Sequence, residues 1–351
     1  MKKKFIYLLS FATILLSAFS TDLDVKGNYK ETMVVYGLLD QSQARQYIKV
    51  NKAFIGDGNA FSYAQVKDST QYAHTLTVTL KKLPNGPEYT LLPDASVPKD
   101  PGIFYAPNQA NAIYSNNDGM GHTVPMVLDS SRQYLLTLRN SETGTVAYST
   151  TGLISDIGNF TSPSYVSPSF QFILAGASTD NFKFSLKWNS GANARLYQTI
   201  VRFNYYDSTA TGNDTSHLDW VFPTQTTNGL VGNEQMETDF YGQDYLRFIG
   251  NQLNGKPLPL ARIALKTDMI LIAGSDDLNT FIEVNAPSTG IVQDKPEFTN
   301  ITNGLGIFSS RLNKAPYSKK LHSTTVDSLS GGRFTCHLKF LNHLGIWTGC
   351  P

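Results

Sequence analysis

Between Phe182 and Tyr206 the chain keeps a two-residue beat that few folds can accommodate. Phe182, Phe184, Leu186 and Trp188 alternate with Lys183, Ser185 and Lys187. Beyond Asn189-Ser190-Gly191-Ala192-Asn193, the run Tyr197, Thr199, Val201, Phe203, Tyr205 resumes the same spacing. Period two puts successive side chains on opposite faces of a strand, so each run has one buried and one wet face. Two such runs across a short turn predict a β-hairpin. So aromatic a pair cannot stand alone in water, and neighbouring segments must supply further strands and a second covering layer.

The rest of the chain has the material for that. Its 351 residues exceed one typical core and suit two domains. Aromatics at 12% against 16% charged residues favour strands over helices. Short strands are expected at 33–39, 46–50, 75–81, 104–105, 134–138, 145–149, 170–174, 218–222, 262–265 and 269–272, with Pro84-Asn85-Gly86-Pro87 breaking one run. The fold class is therefore mainly β: two tandem β-sandwich domains of immunoglobulin/fibronectin type, the second with one or two packed helices. The expected map is a leader over 1–20, a linker over 21–32, a first sandwich over 33–155, a linker over 156–168 and a second β-rich domain over 169–351. One helix is expected from an Asn233 cap through Met236, Phe240, Tyr245, Phe248, Ile249 and Leu253, and a second after Ser275-Asp276-Asp277.

Met1–Ser20 has the three parts of a secretory leader: Lys2, Lys3 and Lys4, the apolar run Phe5–Leu16, then small residues. Leu16-Ser17-Ala18 is what precedes a lipid-bearing cysteine, yet Phe19 follows and cannot carry a thioether. Two processing routes stay open: ordinary cleavage after Ala18-Phe19-Ser20, or lipidation and a membrane anchor if residue 19 is natively Cys. Cys336 and Cys350, the chain's two cysteines, are expected to form a disulfide in an exported protein. Adding His337 and His343 would make a metal site, but the spacing fits no common zinc pattern.

From Thr299 the wording becomes distinctive. Asn300-Ile301-Thr302-Asn303-Gly304-Leu305-Gly306-Ile307-Phe308 resembles the closing motif of a Bacteroidota family of β-rich, outer-membrane-associated lipoproteins often encoded beside TonB-dependent transporters. The Val34–Leu39 strand and Leu16-Ser17-Ala18 are similar to that family too. Asn303, Gly304, Gly306 and Phe308 carry the resemblance, and the residues themselves suggest packing: glycines for close backbone approach, Phe308 for a core. In such bacteria Asp68-Ser69-Thr70, Asp207-Ser208-Thr209 and Asp327-Ser328-Leu329 resemble O-glycosylation acceptors at Ser69, Ser208 and Ser328; the competing reading is three ordinary turns. The sequons at Asn159, Asn213 and Asn300 matter only in a host with N-glycosylation machinery.

Catalytic signatures are missing from the sequence: it has no His-Glu-x-x-His, phosphate loop, nucleophile elbow or dinucleotide fingerprint. Asp276 and Asp277 read as acids at a helix N-terminus, and Asn116-Asn117-Asp118-Gly119 reads as a turn before a calcium loop. A net charge of +1 leaves no field to gather nucleic acid or an anionic membrane. The expectation is a non-enzymatic accessory protein of the outer-membrane envelope, without cofactor or metal, that binds a β-barrel machine or TonB-dependent transporter. The alternative is a glycan- or peptide-binding module with Trp220, Tyr105 and Tyr114 as stacking platforms, against which stands their use as sandwich core. An unrecognised hydrolase is third.

Overall fold

The computed structural model describes residues 30–54, 59–72, 75–97, 112–164, 166–174, 182–287 and 297–350. The leader, Phe19, most of the 21–32 linker, and Phe104 with Tyr105 lie outside those residues. The first half carries β1 (Met33–Asp40), β2 (Tyr47–Lys52), the one-turn helices α1 (Ala60–Ala64) and α2 (Lys67–Thr70), β3 (Leu76–Lys82), β4 (Glu88–Pro93), β5 (Ile113–Ser115), β6 (Gln133–Asn140) and β7 (Val146–Gly152). The second half carries β8 (Ser169–Phe170), β9 (Lys183–Asn189), β10 (Ala194–Thr209), β11 (Gly212–Val221), β12 (Gln225–Thr226), β13 (Gln235–Tyr241), α3 (Gly242–Leu253), β14 (Ala261–Ser275), α4 (Asp276–Asn285), β15 (Gly304–Leu321) and α5 (Ser323–Gly331).

The protein is mainly β and sandwich-like. One sheet runs in the order β11-β10-β14-β15-β1-β2-β5-β4-β3-β6-β7, with β12 joined to β10 and β8 to β15, while β9 and β13 form a separate pair. Two apolar cores result. The first packs Met33, Val35, Ile48, Val50, Val78, Leu80, Leu136 and Leu138 together with Ile301 and Phe308 from far along the chain. The second packs β10 and β14 against β9, β13 and α3 around Phe172, Trp188, Phe203, Phe240 and Tyr245. The first core is therefore completed by residues outside 33–155. The 156–168 segment is packed rather than a free linker, since Ile157 and Phe160 enter the second core and Lys187 donates its N–H to the Ser162 carbonyl.

The opening alternation is correct about faces and wrong about pairing. Phe184, Leu186 and Trp188 are buried, as are Tyr197, Thr199, Val201, Phe203 and Tyr205. Yet β9 bonds to β13, with Leu186 opposite Thr238, and β10 bonds to β11 and β14. The 189–193 connection folds one strand over the other, so that the rings of Trp188 and Tyr197 meet 5.9 Å apart across the core. A hairpin would have laid both aromatic faces side by side and left both to be covered; the arch covers each with the other.

The same competition corrects the expected helix. Residues from Gln235 to Tyr241 form a strand whose Met236, Thr238 and Phe240 point inward at period two, and the helix begins only at Gly242. Glu237 is a cross-strand partner of Lys187 at 2.9 Å, and Asn233 takes a left-handed φ of 64° instead of capping. Gly242 and Gly250 let α3 lie directly against the carbonyls of Phe172 and Phe334. The expected 170–174 strand shrinks to β8, because the N–H groups of Phe172 and Ile173 bond at 3.0 and 3.3 Å to the Thr325 hydroxyl. The two strands expected over 262–265 and 269–272 are one, β14, bulged near Met269. The short helix after Ser275 forms as expected, and α5 is an additional one.

The family-like motif is where the halves join. β15 pairs in parallel with β1, Met33 opposite Gly304 through Asp40 opposite Arg311, and its later part pairs antiparallel with β14. Gly306 has φ +103°, and a side chain there would collide with the Val35 carbonyl oxygen. The Asn300 amide clamps Phe308, accepting its N–H at 2.9 Å and donating to its carbonyl at 2.8 Å. Gly306→Ala is therefore expected to destabilise the protein by about 2–4 kcal/mol. Chemical denaturation checks this, and an unchanged midpoint would refute the close-approach role.

Candidate functional site

Where the two halves meet, the backbone turns leave an open polar cleft of about 260 Å³. The first half contributes Ser130, Ser131 and Arg132 from the turn before β6, Gln133 from its first position, and Thr150, Thr151 and Gly152 from the end of β7. The second contributes Asn193, Leu230, and Ser275, Asp276 and Asp277 at the start of α4. The walls are fixed by bonds that cross the junction. Asn193 donates to the Leu153 carbonyl at 3.1 Å, and the buried Ser310 hydroxyl donates to that of Gly152 at 2.8 Å.

The two acids are held separately. Arg195 Nε lies 2.7 Å from Asp276 Oδ1, and Arg195 also donates to the Thr227 carbonyl at 2.6 Å. Asn300 Nδ2 donates to Asp277 Oδ2 at 3.0 Å while clamping Phe308. One oxygen of each carboxylate is held in this way, Asp276 Oδ1 and Asp277 Oδ2, and both residues line the cleft. They sit in the first turn of α4, as the sequence suggested, where the helix N-terminus favours negative charge. No histidine lines this cleft among the described residues; His122 is engaged by Asp118 and His343 by Asp327.

The remaining candidates scatter. Tyr114 is buried in the first core, and Trp220 packs flat on Phe248 with ring centres 5.4 Å apart, so both follow the core reading. Tyr105 lies outside the described residues. Ser69, Ser208 and Ser328 are half-buried on α2, β10 and α5 rather than in turns, and the Ser328 hydroxyl donates to the Thr324 carbonyl at 2.9 Å. Gly304, Gly306 and Phe308 serve the β1–β15 junction, and the exposed Asn303 donates to the Val146 carbonyl of β7 at 3.3 Å. Asn116 and Asn117 staple their own loop, Asn116 accepting the Gln46 N–H at 2.8 Å and Asn117 donating to the Leu92 carbonyl at 3.0 Å. What the sequence reading passed over is the β7 end. Its outward residues Tyr148 and Thr150 are exposed between buried Ala147, Ser149 and Thr151, an alternation legible in the sequence but read only for its core side.

No family model matches the sequence, and no curated protein matches it. Solved structures give remote likenesses only. A cytokine receptor complex chain is 9% identical over 82% of this chain and 95% of its own, with TM-score 0.21. The C-terminal globular domain of an oligosaccharyltransferase from Pyrococcus abyssi is 10% identical over 85% and 52%, with TM-score 0.25. The calcium binding domain CBD12 of CALX1.1 is 10% identical over 83% and 99%, with TM-score 0.16.

Cys336 and Cys350 are bonded, so neither thiolate remains to join His337 at a metal. The bridge ties the C-terminal loop to a segment that the buried Arg262 anchors. Arg262 pairs with Asp207 at 2.6 Å and lies between the rings of Tyr205 and Phe340. Opening a loop of this 14-residue separation costs about 3 kcal/mol; a Cys336→Ser/Cys350→Ser variant should unfold at correspondingly lower denaturant, and equal stability would contradict a structural bridge.

Electrostatics set an acid limit. Burial raises the pKa of Asp94, but hydrogen bonds from Ser115 and Ser96 and the Arg45 charge outweigh it and hold the group below its ordinary value. Glu31 is likewise lowered, despite burial, by Thr143, Asn140 and Thr145. A depressed carboxylate stabilises the fold fully above its unfolded pKa, about 4, and loses that contribution as pH falls through the folded value. The thermal midpoint should therefore hold from neutral pH to about 5 and fall below about 4. Asp94→Asn should lower the neutral plateau and flatten the acid limb, and an identical acid limb in that variant would refute the assignment.

Proposed function

We propose that this is an exported, non-enzymatic accessory protein of the outer-membrane envelope, which docks on a β-barrel machine or transporter. The observation that carries this reading is the sheet edge at β11, which among the described residues has a strand on one side only. That strand begins the strand order with β10 as its neighbour, and its residues from Gly212 to His217 are all exposed. Long open edges are ready templates for strand addition by a partner and are usually blunted or covered. The Cys336–Cys350 bridge supports an oxidising compartment, and the secretory pattern of Met1–Ser20 agrees with export. Among the described residues no helix is long and apolar enough to cross a membrane; attachment through an N-terminal lipid, if residue 19 is natively Cys, belongs to this proposal.

A photo-crosslinker at Ser216, used in native envelopes, is the test. A covalent adduct to an outer-membrane barrel protein, lost when the crosslinker is moved to the exposed Arg139 on β6, far from β11 in the strand order, is the expected result. Co-purification of no barrel protein by either route would defeat the proposal.

A further inference from the structure

We propose that the junction cleft, with Tyr148 beside it, is a binding site for a neutral saccharide. This goes beyond the docking reading and does not depend on it, since β11 and β7 stand at opposite ends of the strand order.

The donor and acceptor balance of the lining points to that ligand class. An anion site needs donors, and a cation site needs oxygens alone. This cleft mixes both within one small volume. Ser130 and Thr150 offer hydroxyls that donate and accept, Ser131 a hydroxyl that gives its proton to Asp129 and can still accept, Gln133 and Asn193 offer amides, Arg132 donates, and Asp276 and Asp277 bring carboxylates that only accept. Neighbouring sugar hydroxyls are themselves donor and acceptor pairs, and a carboxylate oxygen accepting from one while an amide or arginine donates to the next satisfies both. The charges of the lining are largely cancelled in place, Asp276 by Arg195, so the cleft presents directional hydrogen bonding rather than a strong field.

Tyr148 supplies the apolar half of sugar recognition. It is 44% exposed and shares the outer face of β7 with Thr150, two residues and therefore about 6.6 Å along the strand. Its backbone is held from the other side: the Tyr148 N–H donates to the Thr302 carbonyl at 3.1 Å, and the Thr302 N–H to that of Tyr148 at 2.8 Å. The ring is thus carried on a fixed strand and not on a loop, as a platform for stacking against the C–H face of a pyranose requires. The cleft volume of about 260 Å³ falls just under the usual range of about 300–1,000 Å³ for drug-sized ligands. It suits the terminal ring or two of a chain whose next ring lies over Tyr148.

The test is titration calorimetry of the full folded chain with neutral hexasaccharides (gluco-, xylo-, manno- and galacto-configured), with polygalacturonate as the anionic arm and a mixed peptide library as the other. Saturable binding to at least one neutral chain is expected, weakened at least fivefold by Tyr148→Ala and abolished by Thr150→Arg, which fills the cleft from an exposed strand position. Both variants should keep the parent's circular dichroism and thermal midpoint; should either unfold, Ser131→Arg replaces it, since that residue lies on the opposite wall. Failure of every neutral chain to bind at millimolar concentration, binding that the folded variants leave unchanged, or preference for polygalacturonate or peptide would each overturn the proposal. None of these outcomes bears on crosslinking through β11, so the two readings fail separately.

Discussion

The parallel pairing of β1 with the first part of β15 is the constraint on which the rest of this structure depends. Parallel neighbours cannot be joined by a tight turn, so almost the whole chain intervenes between Met33 and its partner Gly304. Bringing these strands together carries a large loop-closure cost, recovered only because each contact at the junction is close. Gly306 lets the backbones meet, Asn300 reproduces a strand's hydrogen bonds on Phe308, and Phe308 is fully buried in the first core. A polar network finishes the seam. Asp40, only 2% exposed, accepts from Asn313 at 2.7 Å and from Ser42, and Arg311 lies 3.3 Å away.

From that seam the rest follows. Because β15 continues past β1 to pair with β14, one strand belongs to both halves, and the sheet crosses from one core to the other without a break. The junction cleft is a product of this geometry: it forms where the end of β7 meets the start of α4, both placed by β15. Asn300 links the two levels directly, since one amide bonds both Phe308 in the seam and Asp277 in the cleft.

Much of this was legible in the residues, and the failures share a cause. Alternation at 182–205 identified the buried faces, because burial is read from period alone. It could not say that β9 pairs with β13, since strand partners are set by which apolar faces remain to be covered, a property of the whole chain. Residues 235–241 show the same limit: Met236 and Phe240 fit both a helical stripe and, with Thr238, a strand face, and the pairing with β9 is a contact from far along the chain. The disulfide and the Ser275 helix start were readable because both are local. The cleft was not, since Thr150, Asn193 and Asp276 are far apart in sequence and only β15 brings them together. Trp220 and Tyr114 have the residue type of a stacking platform, whereas the first core takes in Tyr114 and the second packs Trp220 among its many rings.

If one shared strand unites the halves, they should open together. Native-state hydrogen exchange, resolved at single amides, measures this directly. The account predicts that the most protected amides of β1, of β6 and of β14, among them Val35, Leu136 and Leu271, exchange through a common opening with one free energy equal to that of global unfolding. Protection of Leu136 and Val35 lost in a separate, cheaper opening, while Leu271 stays closed, would contradict it and return the chain to two independent sandwiches.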